Sequence, residues 1–405
     1  MLLIYAPVPL HYDSEGRLLA ESQAVNGLRL WALNFSRVIV MMPLSLSPAP
    51  PGWVPVTDAG AQLDRVRFEP LPMAYRPDQF LRHFPATRRR IRELISEAQW
   101  LSFAIGGLFG DWGAVASFTA YKMKRPFAVW TDRVESEVIR QAATDGPFRS
   151  RIRARLTHRP MATLERAVIK RASLGLFHGR ETFEAYSPFS SGPAELVHDI
   201  HLAPDDHIDS ESLLDKAVRA ADGPLRLIYV GRADPMKGPF DWIEVLERLS
   251  AQGVDFTARW LGEGTVRSEM LSKIAAAGLQ SRVEVPGFVA DRAAILQELR
   301  AAHVFLFCHL TPESPRCLIE ALASGCPLLG YDTAYPRDLI AGHGGGILVP
   351  QGNTAALASE IAVLSSERGR LSNLIRAAAM DGKPFNDESV FQHRSEVIRQ
   401  HLSRC

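Results

Sequence analysis

The sequence predicts an α/β protein made of two parallel-sheet domains, and three observations carry that prediction. Its 405 residues exceed what one compact core usually organises. The second half alternates short apolar, β-branched runs with amphipathic helical stretches in unbroken series. The first half repeats the alternation with longer interruptions, and a polar, acidic segment separates the two.

In the second half, "LRLIYVG" at 225–231 reads as a strand. "FDWIEVLERLSAQG" follows as a helix with Trp242, Val245, Leu246 and Leu249 on one face, and "FTARWLG" is a strand again. "VRSEMLSKIAAAGL" and "DRAAILQELRAA" continue as helices, alternating with the strands "RVEVPGF" and "HVFLF"; "SPRCLIEALASG" is the next helix and "PLLGY" the next strand. Serial βαβ units of this kind form a parallel sheet covered on both faces, with ligands at the carboxyl ends of the strands.

The first half places strands at "LLIYA", "RVIVMM", "RVRFEPL", "SFAIG", "FAVWT" and "LGLFHG". The expected division is a first domain over 1–205, a linker over 206–223, a second domain over 224–384 and a C-terminal helix over 385–405. That helix packs outside the second core or back on the first domain. The linker segment, "LAPDDHIDSESLLDKAVRAADGP", is polar and acidic, with room for a short helix.

Composition bounds the function class. Apolar residues at 46%, charged residues at 22% and a net charge of +1 describe an ordinary globular chain rather than a disordered or strongly polyionic one. Cys308, Cys317, Cys326 and Cys405 match no metal or redox spacing and read as reduced thiols, consistent with a cytoplasmic setting. The apolar start "MLLIYAPVPL" lacks a basic region and cleavage site, so it reads as a first strand. "LSFAIGGLFGDWGAVASFTAY" is broken by Gly110 and Asp111, so no transmembrane helix is expected. Residues 1–200 hold 25 lysines and arginines against 19 acids. The excess concentrates in "RHFPATRRRIREL" and "FRSRIRARLTHRP". These stretches read either as solvated helix faces or as a contact for an anionic membrane surface or phosphate-bearing acceptor. Interleaved aromatics are missing, so nucleic acid is not an expected partner.

The chemistry gathers in "TPESPRCLIEALASGCP", directly after the strand "HVFLF" and so at a strand's carboxyl end. Ser314 is the expected N-cap, Pro315 suits the first helical position, and Gly325 with Pro327 ends the helix. The N–H groups of Arg316 and Cys317 then point out of the helix start, where a phosphate would bind. Glu320 lies among Leu318, Ile319, Ala321 and Leu322, and a buried carboxylate needs a partner. A ribose diol fits its two oxygens; a backbone or arginine partner is the alternative. Glu313 sits before the cap, either as a favourable charge near a helix N-terminus or as a substrate ligand. "YVGRADPMKG" follows the domain's first strand and brings Gly231, Arg232 and Lys237 to the same sheet edge, a set suited to a diphosphate.

At these residues the sequence resembles retaining glycosyltransferases of the GT-B fold, the group 1 or family 4 type. The resemblance runs from "LIYVGRADPMKGPFDWIEVL" through "WLGEG" and "VEVPGFV" to "ESPRCLIEALASGCPLLGY" and "GGGILVPQGNTAALASEI". It implies two Rossmann-like domains facing across a cleft, the second binding a nucleotide sugar and the first an acceptor. It implies Arg232 and Lys237 on the donor diphosphate, Glu320 on the ribose and Glu313 on the transferred sugar, with Gly231, Ser314, Arg316 and Cys317 around the nucleotide. The implied donor is UDP- or GDP-linked, with no separate cofactor and no metal. The acceptor is a glycan or lipid-linked hydroxyl in cell-surface polysaccharide synthesis, and peripheral contact at the inner membrane face is part of the reading.

Three departures stand out. Glu313 and Glu320 are seven positions apart where the family has eight, and the missing residue falls in the loop before Pro315. The glycine pair after the first strand is absent, leaving Gly16 as the nearest candidate for close backbone approach. The family's His-Asp becomes Thr131–Asp132, so Asp132 and the cleft candidate Asp111 stand as acceptor-side residues without a catalytic histidine. His178, His198 and His201 end first-domain strands and read as hydrogen-bonded structural histidines rather than cleft or metal-binding groups, and "AGHGGGILVP" reads as a tight glycine turn rather than a phosphate cradle. The altered first-domain motifs leave two other readings: a non-catalytic GT-B binding or scaffold protein, and a nucleotide-sugar epimerase of related fold.

Overall fold

The structure is a computed structural model that describes every residue except positions 59, 146, 147, 312 and 403–405. Cys405 therefore lies outside the described residues. The chain divides into two compact units, Met1–His201 with Asp387–Cys405, and Leu202–Asn386.

The first unit contains β1 (Leu2–Tyr5), β2 (His11–Tyr12), β3 (Leu18–Glu21), β4 (Val38–Leu44), β5 (Trp53–Pro55), β6 (Val66–Pro72), β7 (Trp100–Ala104), β8 (Ala128–Thr131), β9 (Leu174–His178) and β10 (Ala194–Val197). Seven of these form a parallel sheet in the order β10-β9-β8-β7-β1-β4-β6. Its interior strand β1 is buried at every position, as a strand covered on both faces must be. On one face pack the helices Pro77–Glu97, Trp112–Lys122 and Phe148–Ile169, through Ile91, Leu94, Trp112, Ala116, Val168 and Ile169. On the other pack Ser22–Asn34 and Asp387–Leu402, through Leu28, Trp31, Phe391 and Ile398. The C-terminal helix is pinned by Arg394, buried 5.0 Å from the Trp31 ring and 3.4 Å from Asp199.

A third, antiparallel sheet, β2-β3-β5, was not legible in the sequence. Gly16 has φ +77° in the exposed turn between β2 and β3, where its N–H donates to the Asp13 carbonyl. No protein atom lies within 4 Å of where a Cβ would sit, so the positive φ of the turn is what favours glycine here.

The second unit contains β11 (Leu225–Val230), β12 (Phe256–Leu261), β13 (Val283–Gly287), β14 (Val304–Phe307), β15 (Leu328–Tyr331) and β16 (Gly346–Val349), all parallel in the order β13-β12-β11-β14-β15-β16. Trp242, Trp260 and Tyr229 are fully buried in its core. The segment expected to be a linker carries the helix Ser210–Arg219, which belongs to this unit. Asp209 caps it by accepting from the Ser212 N–H at 2.8 Å. Its acidic residues form the outer face, while Ala217 and Ala220 turn inward. The ammonium of buried Lys216 donates to the carbonyls of Leu299 and Ser324, at 3.1 and 3.0 Å. Polarity on one face of a docked helix had resembled the composition of a linker.

The glycine-rich stretch before β16 wraps a carboxylate from the chain itself. Asp381, 4% exposed, accepts from the N–H groups of His343 and Gly345 at 2.8 and 2.7 Å, and its Oδ1 lies 3.0 Å from His343 Nδ1. The cradle is thus filled internally. Asp381→Ala should strand these donors and cost about 3 kcal/mol of stability; urea unfolding of the variant against the parent chain measures it, and an unchanged midpoint would contradict the account.

Candidate functional site

Four loops leave the C-terminal edge of the second sheet: 231–238 after β11, 262–265 after β12, 288–289 after β13 and 308–315 after β14. In open parallel sheets this edge is where ligands bind. The first three loops surround a cavity of about 720 Å³ lined by Arg232, Gly262, Thr265, Phe288, Val289 and Ile295, among others. Two glycines make the close packing of these loops possible. A Cβ on Gly262 would stand 2.0 Å from the Gly231 carbonyl oxygen. One on Gly238, at φ +64°, would stand 1.9 Å from that of Cys308.

The turn Pro235–Lys237, ended by Gly238, turns Lys237 inward, where it is 8% exposed. Its ammonium donates to Glu313 Oε1 at 2.6 Å, and both side chains are about nine-tenths buried. The shorter spacing between the glutamates therefore does not keep Glu313 from the site. Arg232 is more open, with 64% of its side chain exposed, and pairs with Asp234 at 3.0 Å. Asp234 in turn accepts from the backbone and hydroxyl of Thr265, which ties the first loop to the second.

The helix after β14 spans Arg316–Ala323, with Pro315 rather than Ser314 in the capping position. Pro315 has extended φ and ψ of −73° and 128°, so the helix starts one residue later than expected. Ser314 is buried just ahead of it. Glu320 has the arginine partner that the sequence left open: Arg292, from the helix Arg292–Ala301, donates to its Oε1 at 3.0 Å. Cys317, on the first helical turn, shows that these groups share one locality. Burial pushes its thiol up to about 12, Lys237 pulls it down, and Glu320 and Glu313 push it up.

Sequence reasoning missed three neighbours of this cluster. The Tyr229 hydroxyl lies 2.8 Å from His309 Nε2, both buried. Burial, then the Lys237 charge, holds His309 well below the usual imidazole range, so the ring is neutral and Nε2 accepts from the tyrosine. His309 stands two residues beyond β14, at the ligand edge, and that placement was its available signal. Arg292 offered none, since a lone arginine at the start of a helix looks solvated.

The first-unit candidates resolve differently. Asp111 caps the helix Trp112–Lys122, accepting from Gly113 and Ala114 N–H at 2.9 and 3.1 Å and from Gly106 N–H at 3.1 Å. Burial pushes its carboxyl up to about 6 against those donors. Asp132 is exposed beyond β8, next to Thr131, whose hydroxyl donates to the Arg133 carbonyl at 2.7 Å. His178 Nδ1 accepts from the Asp199 N–H at 2.9 Å, and His201 Nδ1 lies 3.3 Å from the Asn26 amide. Burial drives His198 down to about 3. His178 and His201 are thus hydrogen-bonded within the first unit, and among the described residues no group of three or more His, Cys, Asp or Glu could hold a metal.

The fold and this site define a protein of the GT-B class, with two Rossmann-like units and a ligand edge on the second. Residues 211–380 match the family described as glycosyl transferases group 1. The amylovoran biosynthesis glycosyltransferase AmsK of Erwinia amylovora is 27% identical over 215 residues, 51% of this chain and 52% of that one. A 2-deoxystreptamine N-acetyl-D-glucosaminyltransferase of Streptomyces fradiae is 28% identical over 227 residues, 53% of each. The chain spans about half the length of the curated relatives it matches. Among solved structures, Anabaena Alr3699/HepE in complex with UDP and glucose superposes with a TM-score of 0.67 at 14% identity, covering 99% of both chains.

Two outcomes follow from the geometry. Lys237→Met should cost about 3–5 kcal/mol because it leaves a buried carboxylate unpaired, whereas Lys237→Met with Glu313→Leu should recover most of it; a double-mutant cycle by chemical denaturation reads the difference. For Asp111, the folded pKa of about 6 exceeds the ordinary 3.8. The folded state therefore holds the proton more tightly, and the stability this contributes is full below about pH 4 and lost as pH rises through about 6. Relative to Asp111→Asn, which has no such slope, the parent chain should lose on the order of 3 kcal/mol across that window.

Proposed function

We propose that the chain is a hexosyltransferase that moves a sugar from a nucleotide-sugar donor, UDP- or GDP-linked, to an acceptor hydroxyl with retention of anomeric configuration. The single observation that carries this reading is the buried Lys237–Glu313 pair beside the helix start at Arg316, on the edge that also holds the cavity. The nucleoside occupies that cavity, and its ribose meets the Glu320 oxygen that Arg292 does not hold. The diphosphate lies against Lys237, Arg232 and the first N–H groups of the helix Arg316–Ala323. Glu313, positioned by Lys237, accepts from hydroxyls of the transferred sugar.

The chemistry is a displacement at the anomeric carbon. As its bond to the diphosphate oxygen breaks, negative charge grows on the leaving group, and Lys237, Arg232 and the helix start stabilise it where it develops. The acceptor oxygen bonds to the anomeric carbon, and its proton passes to the departing phosphate oxygen, so no protein base is needed. The acceptor is a glycan or lipid-linked hydroxyl of the kind used in cell-surface polysaccharide synthesis. The similarity to AmsK, an amylovoran biosynthesis glycosyltransferase, supports that assignment.

A thermal-shift screen over nucleoside diphosphates and their sugars tests the donor site, because selective stabilisation reports binding without an acceptor. Glu320→Gln should weaken the stabilising diphosphate by about 5- to 150-fold, the loss of a charged hydrogen bond. Lys237→Ala should lower turnover far more than donor affinity. Equal nucleotide affinity in the parent chain and Glu320→Gln would refute the ribose assignment.

A further inference from the structure

The imidazole of His309 is held by its surroundings down to the placement of its proton. Two residues beyond β14, its backbone is fastened on either side to the turn that carries Lys237. The Leu310 N–H donates to the Met236 carbonyl at 2.9 Å, and the Cys308 carbonyl packs directly against Gly238. Tyr229 meets the ring edge-on with centres 5.6 Å apart, and Phe307 lies 5.3 Å away. Tyr229 is itself packed against Trp260 and Phe305, at 4.0 and 5.5 Å between ring centres.

The 2.8 Å contact between the Tyr229 hydroxyl and His309 Nε2 decides the tautomer. Burial raises the tyrosine, so it keeps its proton, and among the described residues its hydroxyl has no other acceptor. Tyr229 therefore donates to Nε2. A neutral imidazole carries one ring proton, which then sits on Nδ1. Among the described residues Nδ1 has no hydrogen-bond partner, yet it is not one of the polar atoms sealed inside without one, as His11 Nε2 is. The protein thus leaves one N–H donor unused on a side chain that is itself buried. The donor belongs to the cluster around the ion pair. After burial, the Lys237 charge acts most on His309, and the charges of Glu313 and Arg232 act on Tyr229. An unused N–H beside an ammonium calls for an anionic oxygen, which both can hold at once.

We propose that His309 is a ligand-binding residue whose Nδ1–H donates to an oxygen of the sugar-side phosphate of a nucleoside diphosphate, next to the Lys237 ammonium. The inference rests on the transferase reading, which places a diphosphate against Lys237. Neutrality suits the ring to this task. It adds a hydrogen bond without burying a second cation, which would repel Lys237 and carry its own desolvation cost. The tyrosine behind the ring fixes which nitrogen holds the proton, so the N–H is in place before the ligand arrives. Its bond then strengthens as charge grows on the leaving phosphate, and the proton stays on the ring throughout.

Calorimetry of the full chain with UDP, GDP, UMP and GMP tests this role. His309→Gln keeps an oxygen that can accept from Tyr229 and removes the Nδ1 donor. It should weaken whichever diphosphate binds the parent chain by about 10- to 100-fold, and the matching monophosphate, whose one phosphate lies on the nucleoside side, by less than about threefold. His309→Asn sets an amide N–H near the Nδ1 position and should recover most of the diphosphate affinity. Proton–nitrogen spectra of the histidine rings in the parent chain give a second reading that needs no variant to fold. They should show a neutral ring protonated on Nδ1, with that proton moving downfield when the diphosphate is added. Undiminished diphosphate affinity in His309→Gln, equal losses for the two nucleotides, an equally weak His309→Asn, or an Nδ1 proton that the diphosphate does not move would each overturn the inference and leave the transferase reading intact. Failure of both diphosphates to bind the parent chain would overturn the two together.

Discussion

The second unit depends on an ion pair placed where water can barely reach it. Taking an ammonium and a carboxylate out of solvent is costly, and the Lys237–Glu313 contact at 2.6 Å offsets that cost only if both loops hold still. The backbone supplies the rigidity. The Leu310 N–H donates to the Met236 carbonyl at 2.9 Å, joining the loop after β14 to the turn that carries Lys237. The Ala233 N–H donates to Glu263 at 2.9 Å and the Val266 N–H to Ala233 at 3.0 Å, joining the first loop to the one after β12. A charge fixed in this way needs no reorganisation when a ligand's own charge develops beside it.

Neutrality around the pair matters as much as the pair. His309 is kept uncharged by burial and by Lys237, and the Tyr229 hydroxyl and Cys317 thiol are pushed up and stay protonated. The buried surroundings therefore supply orientation and low polarity rather than competing charge. Glu320 is balanced by Arg292 in the same manner. The site accordingly consists of compensated pairs, and its two cations differ in kind, Arg232 exposed and forked and Lys237 buried and compact.

Much of this was legible in the sequence because the second unit obeys local rules throughout. Strands such as "VFLF" are uniformly apolar because both faces are covered, and Gly238 and Gly325 mark turns that demand them. Lys237, Glu313 and Glu320 could be assembled from topology alone, since every loop after a parallel strand opens on the same edge. The residues that escaped notice are those whose partners are distant in sequence. Arg292 meets Glu320 across 28 positions, and Tyr229 meets His309 across 80. The helix at 210–219 was hidden by its polar outer face.

Two polar residues of the first unit share one feature. Asp111 and His178 end or follow strands at the ligand edge, yet each is consumed by backbone N–H groups that the edge itself leaves unpaired. Position at such an edge is therefore necessary for a role in binding and not sufficient for one. The seven-residue spacing in the second unit shows the complementary case. A residue deleted within the helix Arg316–Ala323 would have turned Glu320 about 100° away from Arg292. A residue deleted ahead of it is absorbed by the extended backbone at Pro315 and a helix that starts one position late. Glu320 thus meets Arg292 and Glu313 reaches Lys237 with the two glutamates seven positions apart.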